Sequence, residues 1–337
     1  MPPKEPPLTD PDAAPTRHLG IDIGGTNIKI VVVERRGGDW SVVTRDQVAT
    51  RIPDDHDAVP RAVTEQLGEI GRRAIDVAGP VVSCGIGIPG LYDPKRGTVR
   101  FLVNIPGPWN GHPVAGPVSD VLGVPVSLIN DARAFGVAEL RLGAGRGASS
   151  MVGFTLGTGV GGVIAIDGHV YQGHDGTGGE LGHQTLDPNG PSCNCGNNGC
   201  LEAFARADRI AEACGTATAE EAVERARAGD PKAVAGMARV AHYLGVGIAN
   251  MIVVITPDRV VIGGGVAAAA DLLFDPIRDE IARRVWTTSK DEVALVTAEL
   301  GTWAGGIGAA IHGAEMADAA ARAGGAARAG GAARAGS

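Results

Sequence analysis

The chain has 337 residues, 44% hydrophobic and 20% charged, with a net charge of −8; that is enough for about two domains with real cores. Aromatics make up only 4%, which argues against base-stacking platforms for single-stranded nucleic acid, and the acidic balance argues against phosphate-backbone or anionic-membrane binding. Glycine is the excess, at 52 residues, about twice its usual share; with no Gly-X-Y period to make it collagen, it belongs in turns and close-approach loops.

Residues 1–17 contain six prolines and no apolar run suited to a signal peptide, so they read as a disordered tail. HLGIDIGGTNIKIVVVE (18–34) reads as two strands joined by a glycine turn. Over 57–78, Val63, Leu67, Ile70 and Ala74 fall on one helical face. VVSCGIGIPG (81–90) is a strand entering a Gly-Pro loop. VPVSLIND (124–131) is a strand ending in a polar pair, and ARAFGVAELRL (132–142) is the helix after it. The uncharged run 148–166 is long enough to span a membrane, yet its five glycines and its hydroxyl residues favour strand–turn–strand. Helices follow over 200–214, 218–229 and 231–250, and then RVVIGGGV (259–266) as a buried strand entering a third glycine turn. The ARAGGA repeats of 317–337 read as a low-complexity tail outside the fold. Strand–helix alternation indicates α/β layers, and a soluble cytoplasmic protein is expected.

Glycines let backbone N–H groups approach a phosphate closely. In Asp22–Thr26 the turn is Gly24-Gly25, Thr26 adds a hydroxyl, Lys29 adds positive charge, and Asp22 is suited to a hydrated Mg²⁺. Gly157-Thr158-Gly159-Val160-Gly161 repeats the theme, and Gly264-Gly265 lies in the third turn. For any single loop an ordinary hairpin turn is the alternative. Of the five cysteines, Cys84 and Cys214 read as buried small hydrophobes. Cys193, Cys195 and Cys200 fall within eight residues, downstream of His183; three thiolates and an imidazole close a tetrahedral zinc site, with buried reduced cysteines as the alternative. Asp131 is either an N-cap or a general base that takes a proton from a substrate hydroxyl. Glu180 and Glu202 flank the cysteine loop, and with Asn130 they suit sugar hydroxyls. Asn104 and Trp109, in NIPGPWN, are a loop wall or simple packing.

The motifs LGIDIGGTNIK, IPG, NIPGPWNG, LINDARA, LGTGVGG, GGELGH, CNCGNNGCLE and VVIGGGV together resemble the ROK family of sugar kinases, within the actin/hexokinase/Hsp70 ATPase superfamily, from about residue 18 to 315. The resemblance implies a two-domain actin-like (ribonuclease H-like) α/β fold. Its small domain would span 18–129, completed by a C-terminal helix at about 303–316, and its large domain 130–302 would carry the zinc loop. It implies closure over ATP·Mg²⁺ and a hexose, with Asp131 activating the sugar 6-hydroxyl. It also implies sugar contacts from Asn104, Asn130, Asp131, Glu180, His183 and Glu202, with His183 serving zinc as well. Phosphates would meet Asp22–Thr26 and Thr158–Gly161, adenosine would lie near Gly264 and Gly265, and the protein would be a homodimer or homotetramer. Departures from the pattern are the two tails, a Gly-Gly-Val end to the second glycine loop, and Pro108 before Trp109. The intact cysteine motif weighs against the polyphosphate-using branch, and the lack of a winged helix before the first strand weighs against the repressor branch. Glucokinase is the expected activity. Fructose, mannose and N-acetylhexosamine kinases are the near alternatives, and a non-catalytic sugar-sensing regulator is the distant one.

Overall fold

The computed structural model describes residues 14–288 and 292–335. It divides into two compact units. Unit one takes the chain up to Ala138 and again from Trp303, and unit two is Glu139–Thr302.

Unit one is built on β1 (Thr16–Ile23), β2 (Asn27–Arg36), β3 (Asp39–Ala49), β4 (Ser83–Ile88) and β8 (Val126–Asn130), in the order β3-β2-β1-β4-β8. The first three strands form an antiparallel meander, whereas β1, β4 and β8 are parallel. Helices α1 (Val59–Ala78), α2 (Ala115–Leu122), α3 (Asp131–Leu142) and α9 (Ala304–Ala335) accompany the sheet, and a small sheet of β5 (Gly90–Asp93), β6 (Thr98–Leu102) and β7 (His112–Pro113) stands beside it. Parallel strands are covered on both faces, and β4 accordingly is buried along its whole length. Helix α9 lies so close to β1 and β4 that Gly20 and Gly85 have no room for a Cβ against its Gly306 and Ala309 carbonyls.

Unit two repeats the same pairing scheme. Strands β9 (Met151–Leu156), β10 (Val160–Ile166), β11 (His169–Val170), β12 (Arg259–Gly263) and β13 (Ala294–Thr297) run in the order β11-β10-β9-β12-β13. Here too an antiparallel hairpin, β9 with β10, leads into parallel neighbours, β12 and β13. Its helices are α4 (Glu202–Ala205), α5 (Ala207–Cys214), α6 (Ala219–Arg227), α7 (Pro231–Ile255) and α8 (Ala270–Arg284). Helix α7 is long and apolar enough to cross a membrane, but Met237, Val240, Leu244, Ile248 and Ile252 are packed inside the core of this unit. Glu139, fully buried, accepts hydrogen bonds from the N–H groups of Ala144, Glu299 and Leu300, which fastens both ends of unit two together.

The segment 148–166 forms the expected hairpin. Elsewhere the boundaries differ from the sequence reading. Thr16 and Arg17, assigned there to the N-terminal tail, belong to β1, while residues 1–13 of that tail lie outside the described residues. The division between units falls inside α3 rather than before Asn130. The C-terminal helix, expected to end near 316, continues to Ala335 through the repeats, because alanine and arginine are strong helix formers that offset the glycines.

Candidate active site and metal centre

In unit one the functional candidates gather at the carboxyl ends of the parallel strands, where open α/β sheets bind ligands. Asp22 is near the end of β1 and pairs in register with Lys29 of β2. Burial raises the Asp22 carboxyl above its ordinary range, against the pull of Lys29. The start of α9 is tight against it: a Cβ at Gly305 would stand 2.5 Å from Asp22 Oδ2. The turn after β1 is braced from β3, whose following residue Thr50 donates its hydroxyl to the Gly24 carbonyl at 2.7 Å and its N–H to Thr26 at 2.9 Å. Gly25 faces the loop 103–111, since a Cβ there would lie 2.6 Å from the Asn104 carbonyl oxygen. First glycine turn and Asn104 loop are therefore neighbours, although about eighty residues separate them in sequence.

Trp109 belongs to the core, 4% exposed, and its indole N–H donates to the carbonyls of Ile105 and Pro106. It shapes the loop from beneath, while Asn104 stands exposed on an open hollow of about 600 Å³. Asn130 ends β8 and is buried; its Oδ1 accepts from the N–H groups of Ala132 (3.0 Å) and Arg133 (3.3 Å), and its Nδ2 donates to the Gly90 carbonyl. Asn130 is thus the N-cap of α3. Asp131, the first residue of the helix, is exposed, with Oδ1 2.9 Å from the Ala132 N–H. The partial positive charge of a helix N-terminus favours negative charge, so a carboxylate suits this position.

In unit two the hairpin turn Gly157–Gly159 is at the carboxyl end of β9, closed by a Gly157 N–H bond to the Gly159 carbonyl. Thr158 is exposed on it, whereas Gly161 has moved out of the turn and into β10. Gly264, at φ +85°, has no room for a Cβ against the backbone of Leu156, so the second and third glycine turns share one end of this sheet; Gly265 faces open space. Glu180 is exposed just before the short helical turn Leu181–His183.

The ligand atoms of His183, Cys193, Cys195 and Cys200 all lie within 4.8 Å of one another, and no disulfide joins the cysteines. Cys195 Sγ and Cys200 Sγ are 3.7 Å apart, as are Cys193 Sγ and His183 Nδ1. Ligand bonds of about 2.3 Å to sulfur in a tetrahedron put neighbouring sulfurs about 3.8 Å apart, so the set fits one tetrahedral divalent ion. Burial pushes the Cys200 thiol up to about 12, so a bound cation would have to supply the stabilisation of its thiolate. The spacer between His183 and Cys193 is irregular, pinned by N–H bonds from Leu186 to Gly199 and from Cys193 to Asn197.

Glu202 opens α4 directly beneath this cluster. Its Oε2 accepts from the Val160 N–H at 2.9 Å, and its Oε1 lies 3.6 Å from Cys193 Sγ. Sequence reasoning missed this bond, as it missed Thr50 and Gly305. Neither Glu202 nor Thr50 carries a local signal for its partner. Gly305 does, because glycines crowded into a helix, as in AGGIG, mark close packing.

The sequence matches the model of the ROK family over residues 18–314. The chain belongs to the ROK family. It is 36% identical to a glucokinase of Thermotoga maritima over 313 residues, 87% of this chain and 95% of the relative. Among solved structures it resembles a ROK hexokinase from Thermus thermophilus, with TM-score 0.79 and 35% identity over 90% of this chain and 99% of the other. It also resembles a ROK glucokinase from Streptomyces griseus in complex with glucose and AMPPNP, with TM-score 0.71 and 31% identity over 90% and 100% of the two chains. Regulators of the family match as well, among them a putative xylose repressor of Caldicellulosiruptor at 28% identity over 84% of this chain and 74% of that one. These relatives and the doubled sheet scheme identify the actin-like ATPase fold.

Proposed function

We propose that this chain is a cytoplasmic, ATP-dependent hexose kinase that phosphorylates the 6-hydroxyl of glucose. The observation that carries the reading is at the end of β8: Asn130 caps the helix, and Asp131, a carboxylate side chain, stands exposed at the adjoining position. The similarity to glucokinases over nearly the whole chain supports the same reading.

Phosphoryl transfer demands positioning and charge neutralisation more than covalent chemistry. Gly24 and Gly157, whose own N–H groups close the turns onto Asn27 and Gly159, hold the two loops in shape; the N–H groups of Gly25 and Gly159 meet phosphate oxygens, the Thr26 and Thr158 hydroxyls and the Lys29 ammonium add donors, and Gly161 follows the second turn. Gly264 and Gly265 border the adenosine. Asp22 would hold hydrated Mg²⁺, which supplies charge neutralisation at the phosphates. Asn104, Asn130, Glu180, His183 and Glu202 accept or donate to the sugar hydroxyls. Asp131 takes the 6-hydroxyl proton onto its carboxylate as that oxygen attacks the γ-phosphorus, and the bond from that phosphorus to the bridging oxygen breaks to release ADP. His183, Cys193, Cys195 and Cys200 would hold a structural zinc, because four protein ligands leave no open coordination position for catalysis.

The test is ADP release measured across a panel of hexoses, with ATP and then with polyphosphate as donor. Sugar-dependent turnover with ATP is expected, highest on glucose, together with a loss of at least about 100-fold in Asp131→Ala. Turnover in that variant near the unmutated rate would remove Asp131 from the role. The second reading, a sugar-sensing regulator, is favoured by the repressors among the relatives; sugar binding without turnover on any hexose would establish it instead.

A further inference from the structure

Unit two fastens its phosphate turn to its metal loop at three places. The Val160 N–H, at the foot of the turn, donates to Glu202 Oε2. The Ala207 N–H, at the start of α5, donates to the Gly157 carbonyl at 2.8 Å. Gly182, the residue before His183, is pressed onto the Val160 carbonyl with no room for a Cβ. Glu202 is the most telling of the three. One carboxylate oxygen holds the backbone of the glycine turn, while the other is 3.6 Å from the sulfur of Cys193, a metal-ligand candidate. The turn in turn leaves space for that carboxylate: a Cβ at Gly159 would stand 2.7 Å from Glu202 Oε2.

We propose that Glu202 is a positioning residue that joins the metal loop to the phosphate turn, so that the cysteine cluster supports nucleotide binding as well as sugar binding. This rests on the kinase reading above. A carboxylate that served the sugar alone would have no need of a bond to the Val160 N–H. With that bond, disorder in the loop 183–202 is transmitted to the donors that receive the phosphates.

The experiment measures Mg·AMPPNP affinity by calorimetry, with no sugar present, on the full-length protein, on Glu202→Ala, on Glu202→Gln and on protein stripped of metal by a chelator. Glu202→Ala is expected to weaken nucleotide binding about tenfold, the size of a lost hydrogen bond to a charged acceptor. Glu202→Gln, whose amide oxygen still accepts from Val160, retains most of the affinity. The stripped protein weakens like the alanine variant, and the Val160 amide exchanges faster with solvent in both. Stripping needs no mutation, so it keeps the test decisive even where Glu202→Ala fails to fold. An unchanged nucleotide affinity in the alanine variant and in the stripped protein, with glucose affinity lost, overturns the proposal and leaves the kinase reading standing. Failure of the unmutated protein to bind Mg·AMPPNP overturns both.

Discussion

His18 gives unit one a defined sensitivity to acid. The ring is 1% exposed, with Nδ1 2.8 Å from the Ser83 hydroxyl and Nε2 3.0 Å from the Thr16 hydroxyl. Burial first, and then the charge of Arg35, lower its pKa from 6.5 to about 4, against the opposite pull of Asp318. Above pH 6.5 both folded and unfolded chains carry a neutral ring, and His18 contributes no pH dependence. Below 6.5 the unfolded chain takes up a proton that the folded chain refuses until about pH 4, so stability falls across that window and levels off beneath it. At about 1.36 kcal/mol per pH unit the loss is about 2 kcal/mol by pH 5 and is capped near 3 kcal/mol. Trp40, whose ring centroid is 5.6 Å from that of His18, supplies a fluorescence signal for urea unfolding of this unit. The comparison is between the unmutated protein and His18→Gln, at pH 7.5 and pH 5. His18→Gln is expected to be less stable at pH 7.5, through lost packing, but to lose about 2 kcal/mol less than the unmutated protein on acidification. An equal loss in the two proteins would refute the argument, as would an NMR titration of the His18 ring with a midpoint near 6.5.

The other expectations concern groups on both units. Glu280, on α8 and 6% exposed where it meets His242 of α7, has its pKa lowered to about 2: burial opposes ionisation, but hydrogen bonds from His242, Arg284 and Arg283 outweigh it. Its stabilisation is therefore present above pH 4.5 and lost as the pH falls toward 2, and Glu280→Ala should destabilise unit two by about 3 kcal/mol at pH 7 in a thermal or urea melt, leaving His242, Arg283 and Arg284 without their acceptor. Gly305→Ala places a methyl group on Asp22 Oδ2; kinetics should show a raised KM for Mg·ATP with little change in the KM for glucose, and an unchanged KM for Mg·ATP counts against the role given to Asp22. Thr50→Val removes the hydroxyl that braces the Gly24 carbonyl and should weaken Mg·ATP binding by a few-fold, about 1 kcal/mol, measured by calorimetry.

The local chemistry of this protein was legible from its residues alone. A glycine turn between two β-branched runs makes a hairpin wherever it occurs, and Cys193, Cys195 and Cys200 with His183 are spaced closely enough for one short loop to bring their donors together. The motif set likewise resembled one family, and the chain belongs to it. What a residue does when its partner is distant was decided by the tertiary structure. Asn130 and Asp131 both suit an N-cap by type, and the register of β8 against β4 is what delivers Asn130 to that position and leaves Asp131 exposed. Glu202 and Val160 are 42 residues apart, and Gly305 meets Asp22 across nearly the length of the chain. Periodicity and spacing report on neighbours within a turn or a strand pair, because those share one local geometry. A hydrogen bond between two loops leaves no period in the sequence, so only the packed sheets and helices could reveal that Glu202 is the carboxylate that holds the Val160 N–H.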